Sequence, residues 1–125
     1  MTRIVPIERT APQKRPRIKQ EPYLDFIRSL PSLVPGRRPV EAAHVRYAAL
    51  HLGKRETGMG EKPHDRWTVP LAGDVHQDQH RHNEREWWER RGIDPLLVCL
   101  ALFGAYHDGD RVAAEFIVRT AGRVW

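Results

Sequence analysis

The sequence predicts an α+β domain in which a short two-stranded hairpin and a following helix are wrapped by N- and C-terminal helices. Three observations predict it. Two strand-like stretches, residues 40–47 and 67–71, bracket one long loop. A polar run beginning near Asp74 follows the second stretch directly. Capping residues then punctuate an otherwise helical remainder, and a two-stranded hairpin is too small to stand without helices against it.

Along the chain, residues 1–20 hold six basic residues (Arg3, Arg9, Lys14, Arg15, Arg17 and Lys19) against Glu8, so the whole net charge of +5 resides there. Such a basic, proline-containing, weakly apolar stretch reads as a disordered arm preceding a domain over residues 21–125. It serves either phosphate contact or solubility. Residues 22–30 read as a short helix, with Pro22 in the first turn, Tyr23, Phe26, Ile27 and Leu30 at apolar spacing, and Pro31 as the stop. Residues 31–39 are turn-rich, and residues 40–47 form a first strand. The loop over residues 48–66 contains Gly53, Gly58 and Gly60, and loops this long are functional or disordered.

After the second strand, Asp74 is expected to cap a helix running to about Arg81. Asn83 followed by Glu86 opens another through Trp87 and Trp88, of which at least one belongs in the core. Asp94-Pro95 caps a helix from Leu96 to about Phe103, closed near Gly104. Asp110 caps the last, with Val112, Ala113, Phe116, Ile117 and Thr120 at helical spacing. Its few basic or amide side chains argue against a helix-turn-helix that reads a DNA groove.

Composition narrows the class. No apolar run approaches the roughly 20 residues that span a bilayer, and residues 1–20 are too polar for a secretory leader. The single cysteine, Cys99, excludes an internal disulfide framework and a CxxC zinc knuckle, and its apolar setting reads as core. The cytoplasm is the expected compartment, with no membrane partner.

The chemistry lies in the histidines. His76 and His80, four apart on a helix, point the same way and can grip one divalent metal ion. His44, at the end of the upstream strand, is placed to activate water beside that ion. Set against this, the pair could be solvated helix residues in a polar run that includes His82, and His44 a half-buried strand residue. His51, His64, His82 and His107 read as surface histidines. Residues 37–66 carry seven basic against four acidic residues, and Arg46, Lys54, Arg55, Lys62 and Arg66 are candidates for nucleic-acid contact. Solvation of a long loop is the plainer use for them.

Residues 40–47 (VEAAHVRY), 58–71 (GMGEKPHDRWTVPL), the His76/His80 pair, 83–88 (NEREWW) and 92–95 (GIDP) together resemble the HNH (ββα-metal) endonucleases, over roughly residues 20–120. The likeness is to a small phage- and prophage-type branch that includes the Ref-like recombination-enhancement nucleases. The resemblance implies a metal-dependent DNA endonuclease that hydrolyses phosphodiester bonds and leaves a 5′ phosphate. It implies His44 as general base and His76 and His80 as holders of one divalent ion (Mg²⁺, Mn²⁺ or Zn²⁺). DNA is the implied partner, with recombination or packaging proteins as further candidates.

The chain departs from that pattern. Ala43 stands where many of these nucleases carry a metal ligand, and Trp67 stands near the expected middle Asn. Ser32, Pro35 and Ala72 occupy places of structural-zinc cysteines. Asp65 or Asp74 are the candidates for a third ligand. Two alternatives follow: a degenerate module that binds DNA or a recombination partner without cutting, and a small domain stabilised by a structural metal. The arm yields the first prediction. Deleting residues 1–19 should weaken DNA affinity and flatten its salt dependence in a binding titration, because six basic residues leave. Cleavage at saturating DNA should survive. An unchanged salt slope would return the arm to a solubilising role.

Overall fold

The structure, a computed structural model, describes residues 21–58 and 62–121; the expected arm over residues 1–20 lies outside them. The fold is α+β. Helix α1 (Glu21–Arg28) leads to strand β1 (Val40–His44), a short 3-10 turn at Leu50–Leu52, and strand β2 (Thr68–Ala72). Helices α2 (Gly73–His80), α3 (Glu84–Arg90), α4 (Pro95–His107) and α5 (Arg111–Thr120) follow. The strands form one antiparallel pair, with Val40 opposite Ala72, Ala42 opposite Pro70 and His44 opposite Thr68.

β1 ends three residues earlier than expected, for a visible reason. Val45 still donates its N–H to the Trp67 carbonyl at 2.8 Å, but the Arg46 N–H turns away to the Glu84 carboxylate at 3.0 Å. That charged acceptor on α3 peels the chain off the ladder. β2 is buried along its whole length. Pro70 is tolerated because its backbone faces the outer edge, where its carbonyl accepts from Leu33 N–H at 2.8 Å. Ser32 Oγ accepts from Ala72 N–H on the same edge at 2.8 Å, so residues 32–33 cover an edge that would otherwise be open.

The core gathers Tyr23, Ile27 and Leu30 with Trp67, Val69 and Leu71 of the second-strand segment. Trp87, Trp88, Val98, Cys99, Leu102, Ala114 and Val118 complete it from the C-terminal helices. Cys99 is fully buried, and its thiol leans on the Thr68 carbonyl at 3.5 Å. Burial raises its pKa, so it is core rather than a nucleophile. Both tryptophans of α3 are buried, and Trp87 donates its indole N–H to Asp78 at 3.0 Å, tying α3 to α2. The caps on α3, α4 and α5 are those expected: Asn83 accepts from Glu86 N–H, Asp94 from Leu96 and Leu97 N–H, and Asp110 from Ala113 N–H.

Asp74 is a correction. α2 starts at Gly73 with no side-chain cap, and the Asp74 carboxylate accepts from the Arg37 and Arg38 backbone N–H groups at 3.0–3.1 Å. Those bonds hold its pKa below the usual carboxylate value. They also pull the turn at residues 36–38 onto the start of α2, which leaves no room for a side chain at Gly36. A Cβ there would lie 2.5 Å from Ala72 Cβ and 2.7 Å from Val75 Cγ2. Gly36→Ala should therefore destabilise the fold by about 1–3 kcal/mol, the usual cost of overpacking, as read by urea unfolding. An unchanged midpoint would show that the turn gives way freely.

Candidate active site

β1 and α2 face each other because α2 begins directly after β2 and packs against both strands. Glu41, opposite Leu71 near the start of the ladder, reaches across to His76, and its Oε1 lies 2.7 Å from His76 Nδ1. Gly73 makes this reach possible: a Cβ there would meet Glu41 Oε2 at 2.9 Å. The other nitrogen of the His76 ring, Nε2, lies 3.0 Å from His80 Nε2, with ring centroids 4.6 Å apart. The two imidazoles thus converge, as their spacing on a helix anticipates.

His44 closes β1 at the other end of the ladder. Its Nε2 lies 3.0 Å from Asp65 Oδ1, and the Asp65 side chain is fully buried. The turn before β2 delivers that carboxylate. Trp67 N–H bonds the His64 carbonyl, Thr68 Oγ1 donates to the Asp65 carbonyl at 2.7 Å, and Thr68 is the ladder partner of His44. Asp65 therefore orients His44, and Asp74 is occupied by the turn at residues 36–38. Among the described residues no group of three or more His, Cys, Asp or Glu side chains is arranged to hold a metal ion. Two imidazole donors fit one half of such a site: nitrogens bound at about 2.0–2.1 Å to one ion, near a right angle to each other, stand about 3 Å apart.

The basic candidates divide. Arg46 is exposed, and its charge acts on His80. Arg55 and Arg66 act on half-buried His64, which they and burial hold below its usual pKa. The Arg66 guanidinium lies 4.9 Å over the Trp67 ring, and Lys62 is exposed. Lys54 is a correction: it is 1% exposed, its Nζ donates to the Tyr47 carbonyl, and its charge faces Glu84. It pins the loop from within and presents nothing to a phosphate. Ala43 and Trp67 are both core residues, so neither supplies a ligand.

Sequence reasoning did not find Glu41 or the Asp65–His44 contact. A carboxylate three residues before a strand histidine, with glycine at the helix start that faces it, is the available signal for Glu41. The pair also sets a titration. Burial, then His76, then Arg46 lower the pKa of His80 below its ordinary 6.5. The folded state thus holds this proton less tightly than the unfolded chain. The stability His80 contributes is present above about pH 6.5 and is lost as the pH falls through its folded value. In metal-free protein, NMR titration should find His80 below 6.5, and Arg46→Gln should move it upward. A His80 indifferent to Arg46 would separate that arginine from the site.

No curated protein and no solved structure matches the chain. One family model does, over residues 7–109, a span that includes β1, β2, α2 and every histidine and carboxylate described above. The chain belongs to that family, described as a protein of unknown function (DUF968).

Proposed function

We propose that this protein is a metal-dependent DNA endonuclease that hydrolyses phosphodiester bonds, with His44 as general base and His76 and His80 holding one divalent ion. The observation that carries the reading is the convergence of the two α2 imidazoles, Nε2 to Nε2 at 3.0 Å, with Glu41 on the far nitrogen of His76. A carboxylate behind a ligating histidine fixes its tautomer and raises its basicity, and is a recurrent support of metal sites. The resemblance of β1, β2 and α2 to the HNH endonucleases supports the same assignment of roles.

When bound, a divalent ion neutralises charge that develops on the scissile phosphate and on the leaving 3′ oxygen. The chain supplies the rest. His44 takes the proton from the attacking water. Asp65, accepting the N–H of His44 Nε2, fixes the tautomer so that the basic lone pair is on Nδ1, and it stabilises the imidazolium that forms. A buried carboxylate strengthens that support, because little solvent screens it. Arg46, Arg55, Lys62 and Arg66 offer charge to the DNA backbone.

A second reading has one observation in its favour: among the described residues only a pair of ligands converges, not three. On that reading the protein binds DNA or a recombination partner without cutting. Nicking of supercoiled plasmid with Mg²⁺, Mn²⁺ or Zn²⁺ separates the two. His44→Ala should lower turnover by about 10²- to 10⁴-fold, the range for a positioned acid–base group, with DNA binding nearly unchanged. His76→Ala should instead raise the metal concentration needed for half-maximal activity. Equal nicking by wild type and His44→Ala would remove the general-base assignment and leave the non-cutting reading in place.

A further inference from the structure

Helix α4 carries no charged residue from Pro95 through Tyr106. A helix that is apolar on every side belongs in an interior. One face of α4 nevertheless lies at the surface, with Leu97 and Leu100 44% and 41% exposed. Two turns beyond Leu97, on that same face, stands Gly104, and a Cβ built there meets nothing within 4 Å. Glycine in a helix interior costs about 1 kcal/mol relative to alanine, and no contact among the described residues requires it here. A projecting leucine and a gap thus stand seven positions apart on one uncharged face.

We propose that this face binds a second copy of the chain, α4 against α4, antiparallel about a two-fold axis between Leu100 and Ala101. Positions equidistant from that axis meet. Leu97 then enters the gap over the partner's Gly104, and the reverse contact forms at the other end, the self-complementarity that a two-fold interface demands. Charge obeys the same operation. Exposed Asp94, the cap of α4, comes opposite the exposed His107 of the partner subunit. The positive N-terminal end of each helix lies beside the negative end of the other. A groove of about 520 Å³ opens beside Leu97, lined by Leu52, Trp88, Ile93 and Leu96, and extends the apolar surface at that end.

An unrelated apolar partner would also cover the leucines. It would not account for a knob and a gap placed symmetrically about the helix centre, with opposite charge character at equal distances beyond. The surface is modest. A 13-residue helix is about 20 Å long and offers less than the ~800 Å² per partner of a standard interface, so association belongs in the micromolar range. The pairing does not depend on what the histidine site does.

Sedimentation velocity of the full chain, from low to high micromolar protein, tests the pairing. Wild type should pass from monomer to dimer. Leu100→Glu and Gly104→Leu should each weaken association at least about tenfold, as loss of a central contact does. Thermal unfolding of dilute Gly104→Leu should show no loss of stability, because the monomer has open space there. In the double variant Leu97→Ala with Gly104→Leu the knob moves across the same contact, and dimerisation should return. A wild type that stays monomeric throughout, including one that only a different protein can cover, overturns the proposal. So does a dimer that Leu100→Glu and Gly104→Leu leave intact, or a Gly104→Leu defect that the double variant does not repair.

Discussion

The pairing of Ala43 with Val69 and of His44 with Thr68 sets the position of everything around it. Side chains alternate along a strand, so a slip of one residue would bring Ala43 out of the core and turn His44 to the wrong side. Five paired positions cannot enforce such a register alone. It is enforced by burial: β2 is covered along its length, and Val45, Trp67, Val69 and Leu71 enter the common core with Tyr23, Ile27 and Leu102. α1 and α4, which belong to no catalytic proposal, therefore decide where His44 points. Because Thr68 holds the Asp65 carbonyl and opposes His44, the same register also delivers the buried carboxylate to its histidine.

Local patterns were legible and distant contacts were not. Asn83, Asp94 and Asp110 announce the starts of α3, α4 and α5 because a cap acts within three residues. β2 and α2 lie within a residue of their expected positions, and the convergence of His76 with His80 follows from helical spacing alone. Asp74 misled because an acidic residue ahead of a polar run reads as a cap, whereas its partners are backbone groups 36 and 37 residues earlier. Glu41 with His76, and Asp65 with His44, are separated by 35 and 21 residues. No local rule predicts that a strand carboxylate will meet one helix imidazole rather than solvent.

Lys54 shows why charge in a glycine-rich loop is an unreliable sign of a surface. The residue pairs as a bridge with Ala49, its Nζ meets the Tyr47 carbonyl, and its charge faces Glu84. Glu84 in turn accepts the Arg46 N–H, and its burial raises its pKa. A buried cation and carboxylate are costly unless they meet each other and further hydrogen bonds. Here the further bonds are backbone groups at both ends of residues 46–54. The interaction ties the exit of β1 to α3, so the exposed Arg46 side chain leaves a fixed backbone position beside His80.

The two carboxylates of the site each serve an imidazole, Glu41 that of His76 and Asp65 that of His44. This division has a consequence for the proposed activity. An ion held by two neutral imidazoles keeps its full charge, whereas a directly ligating carboxylate would offset part of it. Such an ion is held less firmly by the protein alone and attracts an anionic phosphate more strongly. Arg46 acts in the same direction, since its charge opposes a cation in the vacant site and favours a phosphate that bridges the two. Metal and DNA would then each raise the affinity of the other, by the reciprocity that binding free energies require. A pair of histidines without a third protein ligand is on this account consistent with catalysis, provided that the substrate backbone completes the site.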